Sequence, residues 1–132
     1  MTTRRAECCC GRLAAVCEGE PIRVTVCHCL NCKRRTGSAF STNARYAAQQ
    51  VVLEGEAKTF VRVSDEGGAT YSLCPNCGTI VQYKMHGEPD VVAVPVGAFA
   101  DLGFPAPTRS LFHQRRRYPW VEIRAVPLET FD

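Results

Sequence analysis

Apolar and polar positions alternate with a period of two along much of the chain. Residues 22–26, Ile-Arg-Val-Thr-Val, alternate cleanly and are rich in β-branched side chains, the pattern of a half-buried strand. Residues 12–18 form an apolar run before them. Gly19 and Pro21 mark a turn between the two, so an antiparallel hairpin is predicted. Similar runs predict strands at 43–46, 51–53, 58–63, 69–73 and 80–84, with a turn over 65–68. Residues 91–96 are apolar but contain Pro95, which lacks a ladder donor, so an edge or bulged strand is expected there. Residues 97–103 admit one helical turn, 104–107 read as an extended linker, and 121–124 alternate as a last strand. No internal repeat or low-complexity stretch interrupts the pattern. The expectation is a mostly β protein, one domain over residues 1–132.

Composition narrows the class. A length of 132 residues fits one domain, and 45% hydrophobic content fits a folded chain. The net charge of +3 is too small to argue for nucleic acid or a membrane surface. No apolar run is long enough to span a bilayer, and residues 1–8 lack the apolar centre of an export signal. A cytoplasmic location is expected, where disulfides rarely persist. The nine cysteines are an odd number, and their short paired spacings fit metal better than a disulfide framework.

Seven thiols fall in three motifs: Cys8-x-Cys10, Cys27-His28-Cys29-x-x-Cys32 and Cys74-Pro75-Asn76-Cys77. They divide into four plus three. A structural zinc takes four ligands, and a reactive one takes three and keeps a position open. The outer pairs are therefore read as a closed site on Cys8, Cys10, Cys74 and Cys77. Cys27, Cys29 and Cys32 are read as an open site, giving two zinc ions per chain. Gly78 permits the left-handed turn that closes a Cys-x-x-Cys knuckle. A thioredoxin-like redox pair is disfavoured at Cys74 and Cys77, because no βαβ pattern surrounds it. Cys9 points away from its neighbours in an extended segment and is expected to be half-buried, and Cys17 falls in a predicted strand as a core residue. If Cys27 and Cys29 converge, His28 between them points the other way; a partly exposed histidine is expected. A closed second site, with His28, Cys9 or Cys17 as fourth ligand, is the alternative.

Lys33, Arg34 and Arg35 follow the triad. They are placed to offset the negative charge of a zinc–thiolate group, or to hold the carboxylates of a substrate. Residues 36–41 are small or hydroxylic, which suits a pocket wall and equally a tight turn. Arg115, Arg116 and Arg117 beside Trp120 are read as an exposed loop anchored by a packed tryptophan, not as a nucleic-acid surface.

Taken together, Cys8-x-Cys10-Gly11, residues 27–40 from Cys27-His28-Cys29 to Ala39-Phe40, Cys74-x-x-Cys77-Gly78-Thr79 and Tyr118-Pro119-Trp120-Val121 resemble the glutathione-dependent formaldehyde-activating enzyme family, to which centromere protein V is related. The resemblance spans nearly the whole chain. It implies small coiled antiparallel sheets stapled by zinc, the β-tent. It implies a structural zinc on Cys8, Cys10, Cys74 and Cys77, and a second on Cys27, Cys29 and Cys32. It further implies a carbon–sulfur lyase of the S-(hydroxymethyl)glutathione synthase type, joining formaldehyde to glutathione. Where many relatives carry a histidine nine positions before the tryptophan, this chain has Leu111. A thiol joining an open zinc loses its proton and becomes a nucleophile at neutral pH. The rival class is a non-catalytic zinc module, either a thiol carrier or an adaptor for protein or nucleic acid.

Overall fold

The computed structural model describes residues 1–65 and 67–132. The chain is mostly β. In order it forms β1 (Thr3–Glu7), β2 (Ala14–Glu18), β3 (Arg23–Cys27), α1 (Leu30–Thr36), β4 (Ser41–Ala47), β5 (Val51–Glu54), β6 (Lys58–Ser64), β7 (Gly67–Leu73), β8 (Ile80–Met85), β9 (Val91–Pro95), β10 (Arg109–Leu111) and β11 (Glu129–Thr130). Short 3-10 turns cover Ala48–Gln50 and Val96–Phe99. The predicted turn over 65–68 includes Glu66, which lies outside the described residues; β6 and β7 on either side pair antiparallel, Ser64 opposite Gly67.

Two sheets result. The small one runs β1-β2-β5 and the large one β11-β10-β3-β4-β9-β8-β7-β6. The hairpin expected between residues 12–18 and 22–26 does not form. Both edges of β2 are taken, by β1 and by β5, so the chain crosses to the large sheet and β3 pairs with β4 and β10 instead. Hydrogen bonds mark the crossing: Gly19 N donates to Thr2 O, and Ile22 N to Arg45 O. β1 itself was not expected, since Arg4 and Arg5 mask its single buried residue, Ala6.

The main core sits between the sheets. Ala6, Leu13, Ala15 and Cys17 come from the small-sheet side, and Val24, Ala44, Tyr46, Val92 and Val94 from the large sheet. Cys17 is buried there as expected. Because side chains alternate across a strand, the intervening residues of the large sheet face away from this core. They form a row: Thr25 opposite Asn43, Arg45 opposite Ala93, Ala93 opposite Tyr83, Tyr83 opposite Tyr71 and Tyr71 opposite Phe60. That second face carries the site.

Two further expectations are corrected. Pro95 does not put residues 91–96 at an edge: β9 lies between β4 and β8, and Pro95 is merely its last residue. Residues 121–124 form no strand, and the C-terminal pairing is made by β11, which runs parallel to β10.

Gly55 has φ +99°, and a Cβ there would collide with the Arg12 carbonyl. Gly55→Ala is therefore expected to destabilise the protein by about 3 kcal/mol, from left-handed strain and overpacking together. A urea melt against the native protein checks this.

Candidate functional site

The sulfurs of Cys8, Cys10, Cys74 and Cys77 lie within 4.8 Å of one another. Cys8 and Cys10 leave the end of β1, and Cys74 and Cys77 form the turn from β7 to β8. Cys8 Sγ is 3.7 Å from Cys10 Sγ, and Cys10 Sγ is 3.6 Å from Cys74 Sγ. Such gaps are far too long for a disulfide. They match the edge of a tetrahedron with zinc–sulfur arms, about 3.8 Å. Backbone amides support the group: Leu13 N donates to Cys8 Sγ, and Cys9 N reaches Thr79 Oγ1. The Thr79 hydroxyl and amide pull the Cys77 thiol down to about 5. Cys9 is exposed rather than half-buried, at the turn that follows β1.

Cys27, Cys29 and Cys32 form a second cluster, also within 4.8 Å. Cys27 ends β3, and Cys29 caps the start of α1, its Sγ accepting from Cys32 N at 3.3 Å. The helix was not foreseen in the sequence, since it is one short stretch whose only buried residue is Cys32. Gly37 ends it in the left-handed conformation, its N–H returning to Lys33 O. Within the triad the protons are unequally held. Hydrogen bonds from Cys27 and Cys29 hold the Cys32 thiol well below its ordinary range, and Cys27 is pushed up by Cys29 and Cys32 in turn. Thiolate ligands suit zinc, so the donor chemistry of both groups fits that ion.

His28 points away from the triad, as its place in the alternation requires. It is fully buried, not partly exposed: β10 covers it, and its Nε2 lies 3.1 Å from Ser110 Oγ. Ser110 Oγ in turn meets His113 Nδ1 at 2.8 Å. Burial, then the positive charge around His113, Arg117 and Lys33, lowers His28 to about 4, so the ring is neutral.

A cavity of about 140 Å³ adjoins the triad, lined by Thr25, Asn43, Arg35, Arg62 and Tyr83 among others. An outer groove of about 330 Å³ continues past Cys29 and Arg62 to Leu30, Phe112 and Arg116. The three basic residues after the triad part company here. Arg35 faces the cavity, with its guanidinium over the Tyr83 and Tyr71 rings and Nη2 3.8 Å from Cys32 Sγ. Lys33 turns away to the Arg116 carbonyl and the Tyr118 ring, and Arg34 is exposed. Arg45 and Arg62, which sequence reasoning missed, line the cavity instead. Their only sequence signal is an outward position in a predicted strand.

The loop over residues 115–117 is exposed, but Trp120 does not anchor it. Trp120 is 73% exposed and stacks on Tyr118. The loop is held by Arg117, which donates to His113 O and Val121 O, and by Arg115 with Asp132.

The matching family model is that of the glutathione-dependent formaldehyde-activating enzyme, over residues 3–115. The chain belongs to that family. A crystal structure of a Rhodobacter sphaeroides protein, solved as a structural-genomics target, shares its fold: TM-score 0.58 and 16% identity, covering 97% of this chain and 99% of the other. No curated protein matches this family member in sequence. Its described residues include no helix long and apolar enough to cross a membrane.

Cys74 is buried and joins the first turn of the chain to the β7–β8 turn, whereas Cys29 belongs to a local group. Cys74→Ser is expected to collapse the fold, and Cys29→Ser to leave it folded with one zinc fewer. Metal analysis and circular dichroism on both variants test this, and unfolding by Cys29→Ser alone reverses the assignment.

Proposed function

We propose that the protein is a zinc-dependent enzyme of the carbon–sulfur lyase type, acting on the adduct of a thiol such as glutathione with formaldehyde or another small aldehyde. In this reading Cys8, Cys10, Cys74 and Cys77 hold a structural zinc. Cys27, Cys29 and Cys32 hold a second, which supplies a Lewis acid able to lower the pKa of a joining thiol. The observation that carries the reading is the triad itself. Its sulfurs converge beside a cavity, and among the described residues no fourth histidine, cysteine or carboxylate joins them. His28 is committed to Ser110, Cys17 lies in the core between the sheets, and Cys9 stands at the other cluster.

The remaining chemistry is supplied by this chain. Arg35 offsets thiolate charge at the triad and lines the cavity, its buried Nε–H without a partner among the described residues. Arg62, braced by Tyr71 OH at 3.2 Å, stands between cavity and groove. With Arg116 it offers the groove two cations for the carboxylates of a longer thiol such as glutathione. Tyr71, Tyr83 and Met85 keep the inner wall apolar and help exclude water. Of the three basic residues after the triad, only Arg35 keeps a substrate role.

Cobalt absorption counts sulfur ligands directly. Adding glutathione to the cobalt-substituted protein is expected to shift the spectrum toward four sulfurs, and Cys29→Ser to abolish the shift. Arg62→Ala is expected to weaken glutathione about tenfold, with a smaller deficit at high salt, where the native contact is screened as well. A spectrum that shows four sulfurs from the start and ignores thiol contradicts the reading. Exchange of formaldehyde with glutathione at matched thiol, with and without protein, separates an enzyme from a thiol carrier.

A further inference from the structure

We infer that the floor of the cavity beside the triad is a hydroxyl-selective subsite for small thiol ligands, formed by Thr25, Asn43 and Arg35. The inference rests on the reading of the triad as a thiol site. Thr25 and Asn43 are only 3% and 4% exposed, and they stand opposite one another on β3 and β4. Thr25 Oγ1, Asn43 Oδ1 and Arg35 Nε are all buried, and none has a hydrogen-bond partner among the described residues. All three side chains line the same cavity. Buried polar atoms are nearly always paired, so three unpaired ones around one cavity describe the group it takes.

The amide of Asn43 is oriented by its neighbours. Its Nδ2 donates to the Ser41 Oγ at 3.2 Å. Oδ1 is thereby turned to the cavity as an acceptor. Arg35 Nε–H only donates, and the Thr25 hydroxyl does either. A carboxylate or carbonyl only accepts and would leave Asn43 Oδ1 unpaired. An ammonium only donates and would meet the Arg35 charge. A hydroxyl, which donates and accepts, satisfies the set.

Charge and size agree. Among the described residues no Asp or Glu lines the cavity, and the Arg45 charge is met by Glu88 at 3.3 Å. Three thiolates with a divalent zinc carry one negative charge, and a ligand thiolate adds another. Arg35 lies against Cys32 Sγ and offsets part of that charge, while Arg62, braced by Tyr71, serves the outer groove, so no cation is left over for a carboxylate at this depth. A cavity of about 140 Å³ is close in size to one that takes benzene, about six heavy atoms. The hydroxyl therefore lies within a few bonds of the sulfur. Both a small hydroxythiol and the hydroxymethyl group of a thiol–formaldehyde adduct have this chemistry.

The test compares two thiols of equal size, 2-mercaptoethanol and 1-propanethiol, titrated into the cobalt-substituted protein. The alcohol is expected to bind about tenfold more tightly, and Asn43→Leu to erase the difference while both still bind. Thr25→Val should narrow it as well, with circular dichroism confirming that both variants fold. Equal affinities, or a preference that survives Asn43→Leu, overturn the subsite alone. No response to either thiol overturns it together with the thiol reading of the triad. Glutathione with and without formaldehyde separates the two sources. Tighter binding with formaldehyde in the native protein, lost in Asn43→Leu, points to the adduct; no change points to a hydroxythiol.

Discussion

Bringing Cys10 against Cys74, across 64 residues, is the constraint on which the rest of the molecule depends. The small sheet has three strands and could not bury its inner face alone. The four-thiol group fixes its first turn to the β7–β8 turn of the large sheet, and Ala6, Leu13 and Cys17 then reach the core opposite Tyr46 and Val94. Four thiolates in that space repel one another without a cation, so a zinc bound there couples directly to folding.

Once the inner face of the large sheet is committed to that core, the outer face is free to be unusual. Around the cavity it holds three arginines and the unpaired polar atoms of Thr25, Arg35 and Asn43. The aromatic rings of Tyr71 and Tyr83 make this possible by taking the Arg35 guanidinium on their faces. In the proposed reading, stability and chemistry are divided between the two faces, and between the two thiol groups.

Local spacing made the triad and each outer cysteine pair legible in the sequence, and the count of four plus three, not spacing, joined the two outer pairs across the chain. Alternation made β3, β4, β6 and β7 legible in the same way. It did not reveal which strands pair: β2 and β3 are separated by a good turn sequence, yet β2 is already flanked on both sides. The exposure of Trp120 and the burial of His28 likewise depend on what covers them, and only β10 decides the second. Arg45 and Arg62 were invisible as site residues because they sit in ordinary strands and meet Arg35 only across the sheet. Lys33, Arg34 and Arg35 part company for the complementary reason: neighbours in a helix point in different directions, and Arg35 is the one of the three that lines the cavity.

The central claim is that one thiol group is closed and the other open. Zinc K-edge X-ray absorption on the fully loaded protein counts the sulfurs around both ions at once. The account predicts a mean of fewer than four sulfurs per zinc, rising to four when thiol is added. A mean of four before any thiol is present, or a nitrogen ligand unchanged by thiol, would contradict it.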